Sequence, residues 1–463
     1  MLKTFKYWVM SLSLLFQVSC HMDGPNSKLK NSQKQIFLEG VWQSDDYGYL
    51  LTFKEKQKRL YDFSTNHCYQ QPLNSDEISK LLSHVEPIDE QTMRARIQGG
   101  MTSYHFKRIA GLPENCRHLR GSHAEALQYF TELMKAHYAY FDLYGVNWSQ
   151  RVQQALDGLD TELSASKTFE VIKQLMKGIG DAHFFLNAEV DGESMLHVLG
   201  RSKTLRPALD KAFSQQQAIK DPRKFRKAWY RQYKSNIENQ ILKGNYHYAA
   251  NDALLWGKVG EIGYINMLRM ITLSRSGLLQ DDLKAFKEQM DVIMTKLQDT
   301  SALIIDVTTN SGGHDEVGLM MTGYFIEKPT RVYSKKVYGS DQQEQVIEAV
   351  PGHTNYQKPV FILTSDHTVS AAETFVMAMK NLPQVTQVGE ITRGAFSDVL
   401  DKTLPNGWSV GISNEVYQDL DGLSWEAKGL LPAWHFPIFA GQDIYQSHVN
   451  ALGQLLKRVT SSL

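Results

Sequence analysis

The chain has 463 residues, too long for one ordinary domain and enough for two or three. Hydrophobic residues make up 42% and charged residues 22%, a balance that lets a globular chain of this length bury a core without staples. Lys plus Arg and Asp plus Glu both total 50, so overall charge gives no reason to expect a nucleic-acid partner.

Residues 1–20 read as an export signal. Lys3 and Lys6 precede a short apolar stretch, residues 9–18, too short to span a bilayer. Ser19 and Cys20 end it, and a small residue before a cysteine here resembles a bacterial lipoprotein signal. Cutting before Cys20 would leave that sulfur for lipid and tether the mature protein to a membrane. Gln17 departs from the pattern, and an ordinary signal peptide or an uncleaved anchor is the alternative. The expected location is therefore the bacterial periplasm or the outer membrane. Residues 21–36 read as a polar tether.

Residues 37–118 hold short aromatic and β-branched runs separated by polar turns, which predicts a small antiparallel β domain. Cys68 and Cys116 are an even pair in an exported chain, which suggests a disulfide, with two buried free thiols as the alternative. Residues 120–256 form a helical segment. Phe130, Leu133, Met134, His137, Tyr138 and Phe141 recur at helical spacing and so do Phe169, Ile172, Leu175 and Met176. Residues 187–257 read as helical and polar. Within them, residues 220–234 carry seven cations against Asp221, with Trp229 and Tyr230 among them. This reads as a solvated amphipathic helix or as a surface for an anionic lipid or acidic partner.

Residues 257–440 alternate strands and helices, which predicts an α/β core, followed by a C-terminal helix in 441–463. Residues 259–265 read as one strand, 303–307 and 360–363 as buried strands, and 371–380 as a helix. Ser370 therefore sits where a loop enters a helix, beside the unpaired N–H of Ala371. Acyl transfer needs such a nucleophile with an oxyanion donor. Ser370 with Glu373 is equally a capping box. The strand 303–307 runs toward Asn310, Ser311, Gly312 and Gly313, whose glycines allow close backbone approach and whose N–H groups could complete an oxyanion hole. His183, in Gly178-Ile179-Gly180-Asp181-Ala182-His183, is a candidate base, though a lone histidine is usually structural.

In order and spacing these motifs, with Gly263-Tyr264-Ile265 before them and Gly389-Glu390-Ile391-Thr392-Arg393-Gly394 after, resemble the tail-specific, C-terminal processing and tricorn-like serine peptidases. The resemblance covers residues from about 125 to 437 and implies an α/β fold of ClpP and crotonase type. The tail-specific branch places a lysine where Ala395 stands, and residues 187–257 lack the glycine-rich carboxylate-binding loop of its PDZ domain. The tricorn-like branch uses Ser, His and Glu. That resemblance implies Ser370 as nucleophile, His183 as base, Glu426 as the carboxylate that orients it, and Ala371, Gly312 and Gly313 as the oxyanion hole. It calls for no metal or organic cofactor, and for a peptide or protein substrate. Arg393 departs from the usual residue and has no assigned role. Relatives of retinoid-binding type keep the fold without catalysis, so an inactive module that binds apolar or peptide ligands is the alternative.

Overall fold

The computed structural model describes residues 38–97, 101–118, 121–159, 162–439 and 443–463. The readings on the export signal, on Cys20 and on the tether lie outside the described residues. Among those described, no helix is long and apolar enough to cross a membrane.

A seven-stranded sheet organises the α/β part. Its order is Tyr246–Ala249, Leu254–Val259, Ile262–Met267, Ala302–Asp306, Val360–Thr364, Val385–Gly389 and Trp434–His435. From Ile262 onward the neighbours run parallel. Side chains alternate between its faces as strand geometry requires. Leu303, Ile305, Val360 and Ile362 pack toward the helices Leu279–Leu297, Asp315–Thr322 and Ala371–Lys380. Ile304, Phe361 and Leu363 pack toward Leu205–Ser214, Pro222–Asn236 and Ser447–Ser462. Covered on both faces, the central strands have no polar side, which is why residues 303–307 read as an unbroken apolar run. The carboxyl ends of the parallel strands share one edge, where ligand sites form in such sheets.

The expected single strand at 259–265 is a hairpin. Val259 pairs with Ile262 across Gly260, whose φ of 57° suits a glycine. Residues 187–257 are also less helical than expected. Phe185–Val190 and Glu193–Val198 form an antiparallel hairpin, in which Leu186, Ala188 and Val190 are buried and Asn187 and Glu189 exposed. That alternation is a strand period concealed by a polar composition.

The N-terminal segment is an eight-stranded sheet. Cys68 and Cys116 face each other in parallel register and are joined by a disulfide. Closing a loop with a separation of 48 residues contributes about 4 kcal/mol in the chain-entropy picture. The sheet does not keep a core to itself. Trp42, Tyr49 and Leu51 share one apolar cluster with Phe130, Ile172, Leu186 and Ile412. The helix His123–His137 has a broad apolar face, and this sheet covers it. A buried ion pair crosses the same junction: Lys402 Nζ lies 2.8 Å from Asp62 Oδ1 and also donates to Gly48 O. Removing one partner of such a pair strands a buried charge. Asp62→Ala should therefore cost about 3–5 kcal/mol, read as a lowered midpoint in urea unfolding. A loss below about 1 kcal/mol would mean that Lys402 is solvated in the folded chain.

Candidate active site

Ser370 occupies the turn between the strand Val360–Thr364 and the helix Ala371–Lys380. Its backbone is strained, with φ 63° and ψ −131°, a region that a residue with a Cβ adopts at a cost of about 1–3 kcal/mol. The hydroxyl makes no capping bond to the helix, so the capping box that the sequence allowed does not form. A serine on a strained strand-to-helix turn, its hydroxyl free, has the local geometry of a nucleophile.

Three sets of bonds hold the turn. Ser370 N donates to Ala395 O at 3.0 Å. Ser365 Oγ and Thr368 Oγ1 donate to Thr308 O and Val307 O, tying the loop to the end of the adjacent strand. Glu373 accepts from Gly394 N at 2.6 Å and Ala395 N at 2.8 Å. The sequence signal for Glu373 was its spacing from Ser370, but the carboxylate serves the loop that carries the serine's partner. Burial pushes its carboxyl up to about 7.

The glycine turn lies directly against Ser370. A Cβ on Gly312 would come within 2.8 Å of the Ser370 Cβ and 2.9 Å of Ala371 N. The Gly312 N–H, expected as an oxyanion donor, instead donates to Asn310 Oδ1 at 2.8 Å. Asn310 is fully buried, and its Nδ2 donates to Met267 O, so it anchors the turn to the next strand. The N–H groups of Gly313 and Ala371 have no partner among the described residues. A free backbone donor next to the serine, with a second on the glycine turn that packs against it, suits a developing oxyanion.

Asp181 Oδ1 accepts from His183 N at 2.8 Å and so fixes the turn that presents the imidazole. His183 Nδ1 is enclosed without a hydrogen-bond partner among the described residues. Burial holds the ring below its ordinary pKa, against the opposite pull of Asp181 and Asp398. Glu426 is buried, and its Oε2 accepts from Phe396 N at 2.8 Å and Ser397 N at 3.4 Å. Its Oε1 has no hydrogen-bond partner among the described residues. Burial, with Asp181 next, pushes its carboxyl well above the usual range. Tyr138 and Tyr144 feel the charges of both Asp181 and Glu426, and both hydroxyls are buried. Neither the Ser370–His183 bond nor the His183–Glu426 bond of a triad is made in this structure. The residues approach through shared backbone: Ala395 serves Ser370, and Phe396 beside it serves Glu426.

Arg393 now has a position. Its Nε donates to Asp366 O at 2.5 Å, its guanidinium to Gly200 O at 2.6 Å and its backbone N to Thr368 O at 3.0 Å. Gly200 packs so closely on Gly180 and Ala182 that a Cβ would collide with them. Arg393 thus fastens the serine loop to the loop that backs the histidine turn. Asp398 was not singled out from sequence. Its Oδ2 accepts from Lys335 Nζ at 2.9 Å and Thr102 Oγ1 at 3.0 Å. Lys335 also pairs with Glu415 at 3.0 Å, and Tyr47 donates to Glu415 at 2.8 Å. Thr102 and Tyr47 belong to the N-terminal segment, so that segment braces the site's rim.

The fold is α/β, with a strained serine at the turn from a parallel strand into a helix. Residues 261–435 match the family described as Peptidase family S41. Over 136 residues the chain is 27% identical to the carboxy-terminal processing protease CtpA of Bacillus subtilis (strain 168). That alignment covers 28% of this chain and 27% of the relative's length. A solved structure of a putative peptidase from Parabacteroides merdae ATCC 43184 has a TM-score of 0.55 at 20% identity, over 73% of this chain and 97% of that one. Mature CPAF complexed with lactacystin has a TM-score of 0.50 at 14% identity, over 73% and 98%. At such identities these likenesses establish the fold.

The Glu373 clamp has a measurable signature. Its folded pKa of about 7 lies above the ordinary glutamate value of 4.5, so between these values the native state holds a proton that the unfolded chain has released. Stability from this group is complete below about 4.5 and is lost as pH rises through about 7. Asp315, pushed to about 7 by burial and by Asp398, adds a slope of the same sign. Glu373→Gln should flatten the fall by up to about 1.4 kcal/mol per pH unit, measured by urea unfolding from pH 5 to 7. An unchanged slope would mean that Glu373 is ionised in the native state across that range.

Proposed function

We propose that the protein is an exported serine peptidase that cleaves peptide or protein substrates through an acyl-enzyme on Ser370. The observation that carries this reading is the strained Ser370 with its free hydroxyl, set beside the unpaired N–H of Ala371. In this reading Ser370 Oγ attacks the scissile carbonyl while His183 takes its proton. The oxyanion is held by the N–H groups of Ala371 and Gly313. Glu426 accepts from the imidazole, fixing its tautomer and stabilising the imidazolium. The neutral imidazole favoured by burial supports the role of base. Closing the triad requires the side chains of His183 and Glu426 to turn toward their partners when substrate arrives, and the unpartnered Nδ1 and Oε1 are the atoms free to do so. Ser370→Ala should lower peptide hydrolysis by roughly 10⁴-fold or more, and the wild type should be labelled at Ser370 by a fluorophosphonate. A folded wild type inert to that probe would support the alternative, a binding module for apolar or peptide ligands.

Export and lipidation at Cys20 belong to the same proposal. The Cys68–Cys116 disulfide supports an oxidising compartment, and the lipid would hold the enzyme at the envelope. A palmitate analogue fed to expressing cells should tag the wild type and leave Cys20→Ser untagged. Equal tagging of both, or of neither, would count against the anchor.

A further inference from the structure

A cleft of about 1120 Å³ runs between the helices Leu205–Ser214 and Pro222–Asn236, on the sheet face opposite the helix that begins after Ser370. Its floor includes Leu205, Leu209 and Trp229, all buried. His367 also lines it, three residues before Ser370 and in the loop that Arg393 fastens at Asp366 O.

The rim is cationic. Lys220, Arg226, Lys227 and Arg231 line it and make no ion pair among the described residues. Arg223 and Lys224 share the lone acid there, Asp221, whose carboxylate is already capping the helix through their backbone N–H groups. A solvated amphipathic helix accounts for the buried Phe225, Trp229 and Tyr233. It does not account for uncompensated positive charge around an apolar-floored cleft that reaches the nucleophile loop. An occupant that satisfies both features is anionic and amphipathic. The basic stretch of helix is roughly 14 Å long, the span of four or five extended residues at about 3.3 Å each.

We infer that this cleft is a substrate subsite for an extended, acidic peptide segment with large apolar side chains, lying to one side of the bond that Ser370 attacks. The inference rests on the peptidase reading, because the position of His367 is what makes an occupant of the cleft continuous with the nucleophile loop. Acidic side chains meet the rim, and apolar ones enter over Trp229.

The test uses the Ser370→Ala protein, which retains bound peptide, and a fluorescent acidic-apolar peptide followed by anisotropy. The control is the same peptide with Asn and Gln for its acids. The acidic peptide should bind at least about 10-fold tighter, and raising salt from about 50 to 500 mM should erase the difference. Arg226→Glu with Lys227→Glu, both outside the buried core, should bring the acidic peptide to the level of the control. Equal binding of the two peptides, or binding that survives the charge reversal, overturns the inference. Capture by anionic phospholipid vesicles without peptide binding assigns the cleft to a membrane and also overturns it. Peptide binding that depends on the rim, in a wild type that hydrolyses nothing, supports the cleft and overturns the peptidase reading instead.

Discussion

Four consecutive backbone N–H groups, from Gly394 to Ser397, point into two buried carboxylates. Glu373 takes the first two and Glu426 the second two. Burial raises both carboxyls, and the oriented amide dipoles of this segment offset part of that cost. The strand-like segment between them is fixed as a result, and Ala395 O is aimed at Ser370 N. The strain at Ser370 persists because this segment over-determines its backbone.

The rest of the site is built outward from that segment. Arg393, just before it, binds the serine loop and the Gly200 loop that packs on the histidine turn. Asp398, just after it, binds Lys335 and Thr102 and so reaches the N-terminal sheet. A stretch of six residues thereby connects candidate nucleophile, candidate base, candidate carboxylate and N-terminal sheet. The N-terminal sheet is accordingly part of the working structure: it covers the helix His123–His137 and contributes polar side chains to the rim.

The sequence revealed most where chemistry and periodicity coincided. The unbroken apolar run before Asp306 reads as a doubly covered strand because no polar side chain interrupts either face. Ser370 reads as a loop-to-helix residue because an apolar strand precedes it and a helical run follows. The hairpin Phe185–Val190 and Glu193–Val198 was obscured because its polar residues sit on the outer face and swamp the alternation of Leu186, Ala188 and Val190. Long-range polar bonds left less trace. Glu373 stands at a capping distance from Ser370, and no local pattern distinguishes a cap from a clamp on a loop 21 residues away. Gly312 and Gly313 look alike in sequence, and the Asn310 side chain decides which N–H is free. Arg393 binds carbonyl oxygens of Asp366 and Gly200, and backbone acceptors carry no residue signature.

The central claim is that the strained serine, held by Ala395, presents its hydroxyl beside two free N–H donors. A crystal structure of the protein treated with a peptidyl boronic acid tests this most directly. The account predicts a tetrahedral boron on Ser370 Oγ, one boronate oxygen within hydrogen-bond reach of the N–H groups of Ala371 and Gly313, and the His183 ring turned against the adduct. An unmodified Ser370 whose hydroxyl caps its own helix at negative φ would contradict it.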